Sequence, residues 1–355
     1  MINIVINNYI NNKILEMQKY SFKNDYSEWC HENILKTMMT SNLEQHEWYG
    51  YDYYSEKARE FIRKKIGNKN SDIHFVSGWT QANLISISAV LKHHEAIIAV
   101  KTSHISLREA WAIEATWHMI INKQDENGKI TVKKIQEALD IITMPDHMVR
   151  PKLVFISNST EIWSIYTRKE LEEISFFCKK NNLYLYLDWA RLGSALASPN
   201  NDMTIEDISN LVDMFYIWWT KNWALLWEAI VINNNKLKED FRFHLKQKWA
   251  LLAKWRLLWI QFYELFKDNL FFELAEHINA MAIKLANGMK EKWYKFMIEP
   301  ESNQIFPILP NELIQKLEKK FIFYVWEKWE KESVVRLVTS WATREDKVDE
   351  FLSEI

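Results

Sequence analysis

Short, almost wholly apolar runs separated by amphipathic stretches set the tightest limit on what this chain can fold into. Ile73–Ser77, Ala96–Val100, His118–Asn122, Lys152–Ser157, Leu183–Asp188, Met214–Ile217 and Ala229–Asn233 each read as a strand. Between them, 3.6-residue periodicity places helices at 31–45 (apolar at Ile34, Leu35, Met38 and Met39), at 55–66 with Ser55 as N-cap, and over Gln81–Lys92. Two more run from Thr131 to Asp140 and from Thr167 to Lys180. Strands apolar on both faces belong in a parallel sheet covered by helices on each side. The expected class is therefore α/β, with a mostly parallel central sheet sandwiched by helices. From about 236 to 287 the pattern turns helical. Short strands then follow around 294–298, 304–309 and 334–338, with helices near 311–320 and 345–354, which describes a small α+β C-terminal domain. The expected division is an N-terminal segment 1–30, a large domain 31–270 and a small domain 271–355.

Charge and cysteine usage exclude several classes. With 45 basic and 47 acidic residues, the net charge of −2 offers no broad basic surface for nucleic acid. Arg63-Lys64-Lys65 and Lys319-Lys320 read as solvated faces at helix ends. Cys30 and Cys178 form neither a disulfide framework nor a zinc set. The asparagine-rich start lacks the pattern of a secretory leader, and no apolar run approaches the ~18–20 residues that span a bilayer. The expected compartment is the cytoplasm, where thiols stay reduced. His93-His94-Glu95 and the scattered His31, His118 and His147 read as solvated residues, and no metal site is expected.

Chemistry-bearing residues gather where strands end, which is where ligands bind in open parallel sheets. Thr80 opens a helix just after the strand 73–77, and a helix start offers free N–H groups to a phosphate. His104 follows 96–100, Asp188 closes 183–188 with Arg191 three residues on, Lys221 follows 214–217, and Arg336 lies in a late strand. This is the set that pyridoxal 5′-phosphate requires: a lysine for its aldehyde, a carboxylate for its pyridinium nitrogen, a helix start for its phosphate and a flat side chain over its ring. An arginine takes the substrate carboxylate as a bidentate pair. No Gly-x-Gly-x-x-Gly follows any strand, which argues against a nicotinamide enzyme.

The wording around these residues, FVSGWTQAN (75–83), KTSHISLREAWAIEATWHMI (101–120), LYLDWARLGSAL (185–196), YIWWTKNWALLWEAIV (216–231) and VRLVTSWAT (335–343), resembles the low-specificity threonine aldolases. These are fold-type I pyridoxal-phosphate enzymes of the β-eliminating lyase group. The resemblance runs in order over roughly residues 20–350. It implies Lys221 as the Schiff-base lysine, Asp188 as the pyridinium partner and His104 as the ring-stacking histidine that helps deprotonate the substrate hydroxyl. Gly78, Trp79 and Thr80 fall on the phosphate loop. Arg191 and Arg336 match carboxylate-binding arginines, and Arg256 matches an arginine that reaches a neighbouring subunit's phosphate. Asn24 stands where the family often has a substrate-binding serine. The implied activity is cleavage of threonine or allo-threonine, a small-molecule amino acid, to glycine and an aldehyde by a homodimer or homotetramer. Another β-eliminating lyase of the same fold is the alternative.

One count departs from that family. The chain has 6 Gly and 18 Trp, whereas ~7% glycine would give about 25 in this length. Against the family pattern, tryptophan stands at glycine positions at 29, 79, 111, 117, 163, 189, 218, 219, 223, 227, 249, 255 and 259, with 48 and 293 as further candidates. Trp326 and Trp341 match true tryptophans, and Trp329 is unassigned. The codon UGA links the two residues: a cell that reads it as glycine, translated with a table that reads it as tryptophan, gives this pattern. Overpacking costs ~1–3 kcal/mol per site, against a whole domain's ~5–15 kcal/mol of stability. A chain carrying every indole is therefore expected to be insoluble or to bind no cofactor, and genuine tryptophans would make it a non-catalytic relative.

Overall fold

The structure is a computed structural model that describes residues 19–355 except 145, 162, 163, 190, 191, 197, 199, 200, 219–223, 226, 227 and 301, and the backbone alone of 192, 194 and 218. The chain divides into two compact units, Trp29–Glu273 and the pair Met1–Glu28 with Leu274–Ile355.

The larger unit carries a seven-stranded sheet of β1 (Asp72–Val76), β2 (Glu95–Val100), β3 (Ile120–Lys123), β4 (Arg150–Ser157), β5 (Tyr184–Trp189), β6 (Met214–Trp218) and β7 (Glu228–Ile232), in the spatial order β1-β7-β6-β5-β4-β2-β3. Strand β7 runs antiparallel to both its neighbours, and the remaining pairs are parallel. Ile97, Val154, Leu185, Phe215 and Ile230 are fully buried, as strands covered on both faces require. The covering helices are α1 (Glu32–Thr40), α2 (Tyr53–Lys65), α3 (Trp79–Val90), α4 (Val132–Asp140), α5 (Arg168–Lys180), α6 (Ile205–Leu211), α7 (Phe241–Gln247) and α8 (Arg256–Lys267). This is the α/β sandwich expected.

Local chemistry explains the helix starts. The Thr131 hydroxyl accepts from the Lys134 N–H, and Thr167 and Thr204 form reciprocal capping boxes with Glu170 and Asp207. Three local expectations need correction. Asp52, not Ser55, caps α2: its Oδ1 accepts the Ser55 N–H at 2.9 Å, so Ser55 lies inside the first turn. Helix α1 stops at Thr40, where the Ser41 hydroxyl bonds back to the Thr37 carbonyl at 2.7 Å. Residues 294–298 form no strand among the described residues, because only Phe296 bridges to Pro307.

The smaller unit is α+β. Tyr20–Ser21 pairs in parallel with Phe321–Ile322, and Ile308–Pro310, Tyr324–Lys328 and Gln304–Ile305 pair antiparallel with Glu332–Val338. Phe22, Leu285, Leu309, Val335, Val348 and Phe351 build its core.

Tryptophan occupies two kinds of position that do not suit it. Trp111, Trp117, Trp249 and Trp293 have φ between 56° and 67°, and they are 74–91% exposed. Positive φ strains any residue with a Cβ and is unusual for a bulky one. Trp249 ends α7 in a Schellman motif, where Ala250 N–H donates to the Leu245 carbonyl at 2.8 Å and Trp249 N–H to Lys246 at 3.2 Å. Trp293 ends the helix Leu270–Glu291 in the same way, with Tyr294 N–H on Met289 at 3.1 Å. In contrast, Trp189, Trp255 and Trp259 are buried, and none of their indole N–H groups has a hydrogen-bond partner among the described residues. The Trp259 and Phe75 ring centroids lie 3.2 Å apart, closer than the ~4.5–7 Å of aromatic pairs.

Candidate active site

Strands β1, β2, β4, β5 and β6 share one direction, so their C-terminal ends line one edge of the sheet. Register places Asp188 on β5 between Ser157 on β4 and Tyr216 on β6. Asp188 is 2% exposed, and burial pushes its carboxyl up to about 7 against the opposing pull of His104 and Tyr216. Glu161 and Glu109 push it in the same direction as burial. The Tyr216 hydroxyl approaches Asp188 without reaching good hydrogen-bond geometry, and Asp188 Oδ1 has no partner among the described residues. An orphaned carboxylate oxygen in an apolar setting is the complement of a protonated ring nitrogen, so the residues here fit the pyridine end of pyridoxal phosphate.

Helix α3 starts at the same edge. Its N-cap, Gly78, makes no side-chain cap, and nothing lies within 4 Å of where a Cβ would stand. Open space therefore adjoins Gly78 at the start of α3, and a helix start is where first-turn N–H groups lack intrahelical acceptors and can take a phosphate. The half-buried Trp79 indole stands edge-on to the His104 imidazole, with centroids 6.0 Å apart and an 86° angle between planes. His104 Nδ1 lies 2.9 Å from Glu109 Oε1. The Asn83 amide of α3 donates to that same oxygen at 2.7 Å, and the Tyr186 hydroxyl of β5 donates to Asn83 Oδ1 at 3.1 Å. Sequence reading missed Glu109, Asn83, Tyr186 and Tyr216. Asn83 left one trace, an amide at the head of the apolar stretch Leu84–Val90, and Glu109 left none.

Asp188, His104 and the start of α3 therefore come together. Lys221 and Arg191 lie outside the described residues. Arg256 opens α8 and donates to the Glu44 carbonyl at 2.7 Å, beside a cavity of about 530 Å³ also lined by His46 and Trp48. In the smaller unit, Arg336 donates to the Lys23 carbonyl at 3.1 Å and lies over the rings of Tyr324 and Trp326. Asn24, in the same unit, spends its Oδ1 on the Tyr26 N–H at 3.0 Å and the Ser27 hydroxyl at 2.9 Å. Among the described residues no group of side chains could hold a metal ion, and no helix is long and apolar enough to cross a membrane.

The sequence profile of the β-eliminating lyases matches residues 30–310. The low-specificity L-threonine aldolase of Pseudomonas sp. strain NCIMB 10558 is 28% identical over 343 residues, which are 95% of this chain and 97% of that one. The solved structure of Leishmania major threonine aldolase superposes with a TM-score of 0.91 at 46% identity, covering 94% of this chain and 98% of that one. Thermus thermophilus aspartate aminotransferase, at 13% identity and a TM-score of 0.68 over 98% of this chain and 94% of its own, shares the fold. With a matched profile over most of its length, the chain belongs to the β-eliminating lyase family, alongside the threonine aldolases, and is a pyridoxal-phosphate-dependent lyase.

Proposed function

We propose that the protein cleaves threonine and allo-threonine to glycine and acetaldehyde. The observation that carries this reading is the buried, partly orphaned Asp188 carboxyl beside His104, in a chain 46% identical to a threonine aldolase. Pyridoxal phosphate, when bound, supplies an electron sink conjugated with the substrate's α-carbon. Lys221 would hold the cofactor through its side-chain amine. Asp188 keeps a proton on the ring nitrogen. Gly78, Trp79 and Thr80 give backbone N–H groups to the phosphate. Arg191 and Arg336 are assigned to the substrate carboxylate and Asn24 to substrate binding. His104 covers the ring and receives the β-hydroxyl proton as the Cα–Cβ bond breaks and the aldehyde leaves.

The protein works in the cytoplasm as a homodimer or homotetramer, with Arg256 directed to the neighbouring copy's phosphate. Leu43 and Tyr51, 65–91% exposed in the loop after α1, support an oligomer contact there. Lys221→Ala should abolish both the cofactor's visible absorbance and the release of glycine; retention of both would overturn the assignment. Pyruvate and ammonia in place of glycine and an aldehyde would instead establish a β-elimination, the second reading that the family profile favours.

A further inference from the structure

We propose that Glu109 is a positioning residue for His104, fixing which imidazole nitrogen carries the proton and which carries the lone pair. Its side chain is wholly buried; Oε1 takes both of its hydrogen-bond partners, Asn83 and His104, and Oε2 has none among the described residues. Direction runs through the chain of bonds. The Tyr186 hydroxyl donates to Asn83 Oδ1, which turns the Asn83 amide nitrogen toward Glu109 Oε1. That oxygen is thereby an acceptor, so His104 Nδ1, 2.9 Å away, is the donor. In the neutral ring the lone pair is then on Nε2. A proton arriving at Nε2 creates an imidazolium that the Glu109 carboxylate neutralises, as buried carboxylates do for catalytic histidines elsewhere. Among the described residues, Asp188 on β5 interacts electrostatically with both His104 and Glu109, and Glu161 after β4 acts on Asp188.

This inference rests on the proposed role of His104, and its test separates the two. Glu109→Gln keeps the shape and loses the charge. Its kcat should fall ~10–100-fold with little change in KM, and the acidic limb of the pH profile should move to lower pH as His104 loses its anion. Glu109→Asp should restore the limb. Histidine ¹⁵N spectra should show His104 protonated at Nδ1 in the wild type and a tautomer mixture in Glu109→Ala. Loss of activity with an unmoved limb, or an Nε2-protonated wild type, would overturn the proposal. A wild type that yields pyruvate would overturn the cleavage reading while the spectra still decide the role of Glu109.

A separate observation carries a second inference. The geometry points to glycine, not tryptophan, at positions 111, 117, 189, 249, 255, 259 and 293 in the protein as its cell makes it. Four of these lie at positive φ, two of them as the terminal residue of a Schellman motif, the usual place of glycine. The other three are buried indoles with orphaned N–H groups, one of them overlapping Phe75. Trp326 behaves differently: it packs edge-on to Phe306 at 5.7 Å and lies under Arg336. Single-codon misreading at UGA accounts for the division. The gene should carry UGA at the seven positions and UGG at 326, and peptides of the native protein should contain glycine at 249 and 293. UGG codons there, or tryptophan in those peptides, would overturn it.

Discussion

Asp188 gives the site a pH signature even without cofactor. Its carboxyl is raised to about 7 in the folded chain, whereas an unfolded chain would release the proton near ~3.9. The folded state therefore binds that proton more tightly, and its contribution is full below about pH 4 and is lost as pH rises through about 7. At ~1.4 kcal/mol per pH unit, the loss is roughly 4 kcal/mol by pH 8. His74 works in the other direction: burial holds it down at about 3, so its contribution fades as pH falls below ~6.5. The comparison must therefore isolate Asp188. In the cofactor-free protein, Asp188→Asn should gain thermal stability over wild type between pH 5 and pH 8, and added pyridoxal phosphate should narrow that gap. A wild-type-minus-variant difference that is flat with pH would contradict the assignment. His104, Asp188 and Thr80 stood out in the sequence as candidates because each marks a strand end or helix start, and the structure keeps them at those places. The Glu109 bonds were not, because they join segments 26 and 103 residues apart through Asn83.

At the scale of elements, caps and helix ends give separable tests. Asp52→Ala should cost about 1–2 kcal/mol in denaturant unfolding, through loss of the Ser55 N–H acceptor. Trp249→Gly and Trp293→Gly should each stabilise by roughly 1 kcal/mol, because only the left-handed backbone is relieved where the indole is exposed. Destabilisation by either substitution would mean that the exposed ring makes contacts that outweigh the strain. Thr131 and Thr167 were readable as caps because a cap is a contact three residues long. Ser55 misled because Asp52, a competing cap three residues earlier, is preferred. The strand Tyr324–Lys328 escaped notice because it is half polar, and only its pairing with Glu332–Val338 defines it.

For the whole molecule, the parallel sheet followed from seven apolar runs, and every run became a strand with ends shifted by one or two residues. The pairing of Tyr20–Ser21 with Phe321–Ile322 did not follow, since two-residue strands carry no period. A chain with glycine at all fifteen family positions should yield soluble, yellow protein from a host that inserts tryptophan at none of them. A glycine chain that stays colourless would count against the cofactor site itself. That terminal pairing also bears on synthesis. The unit Trp29–Glu273 can close while the ribosome is still working, but residues near Tyr20 must wait about 300 codons for their partner strand. A stalled or truncated message ending before Phe321 would leave this segment an unpaired edge, a ready target for proteases and chaperones.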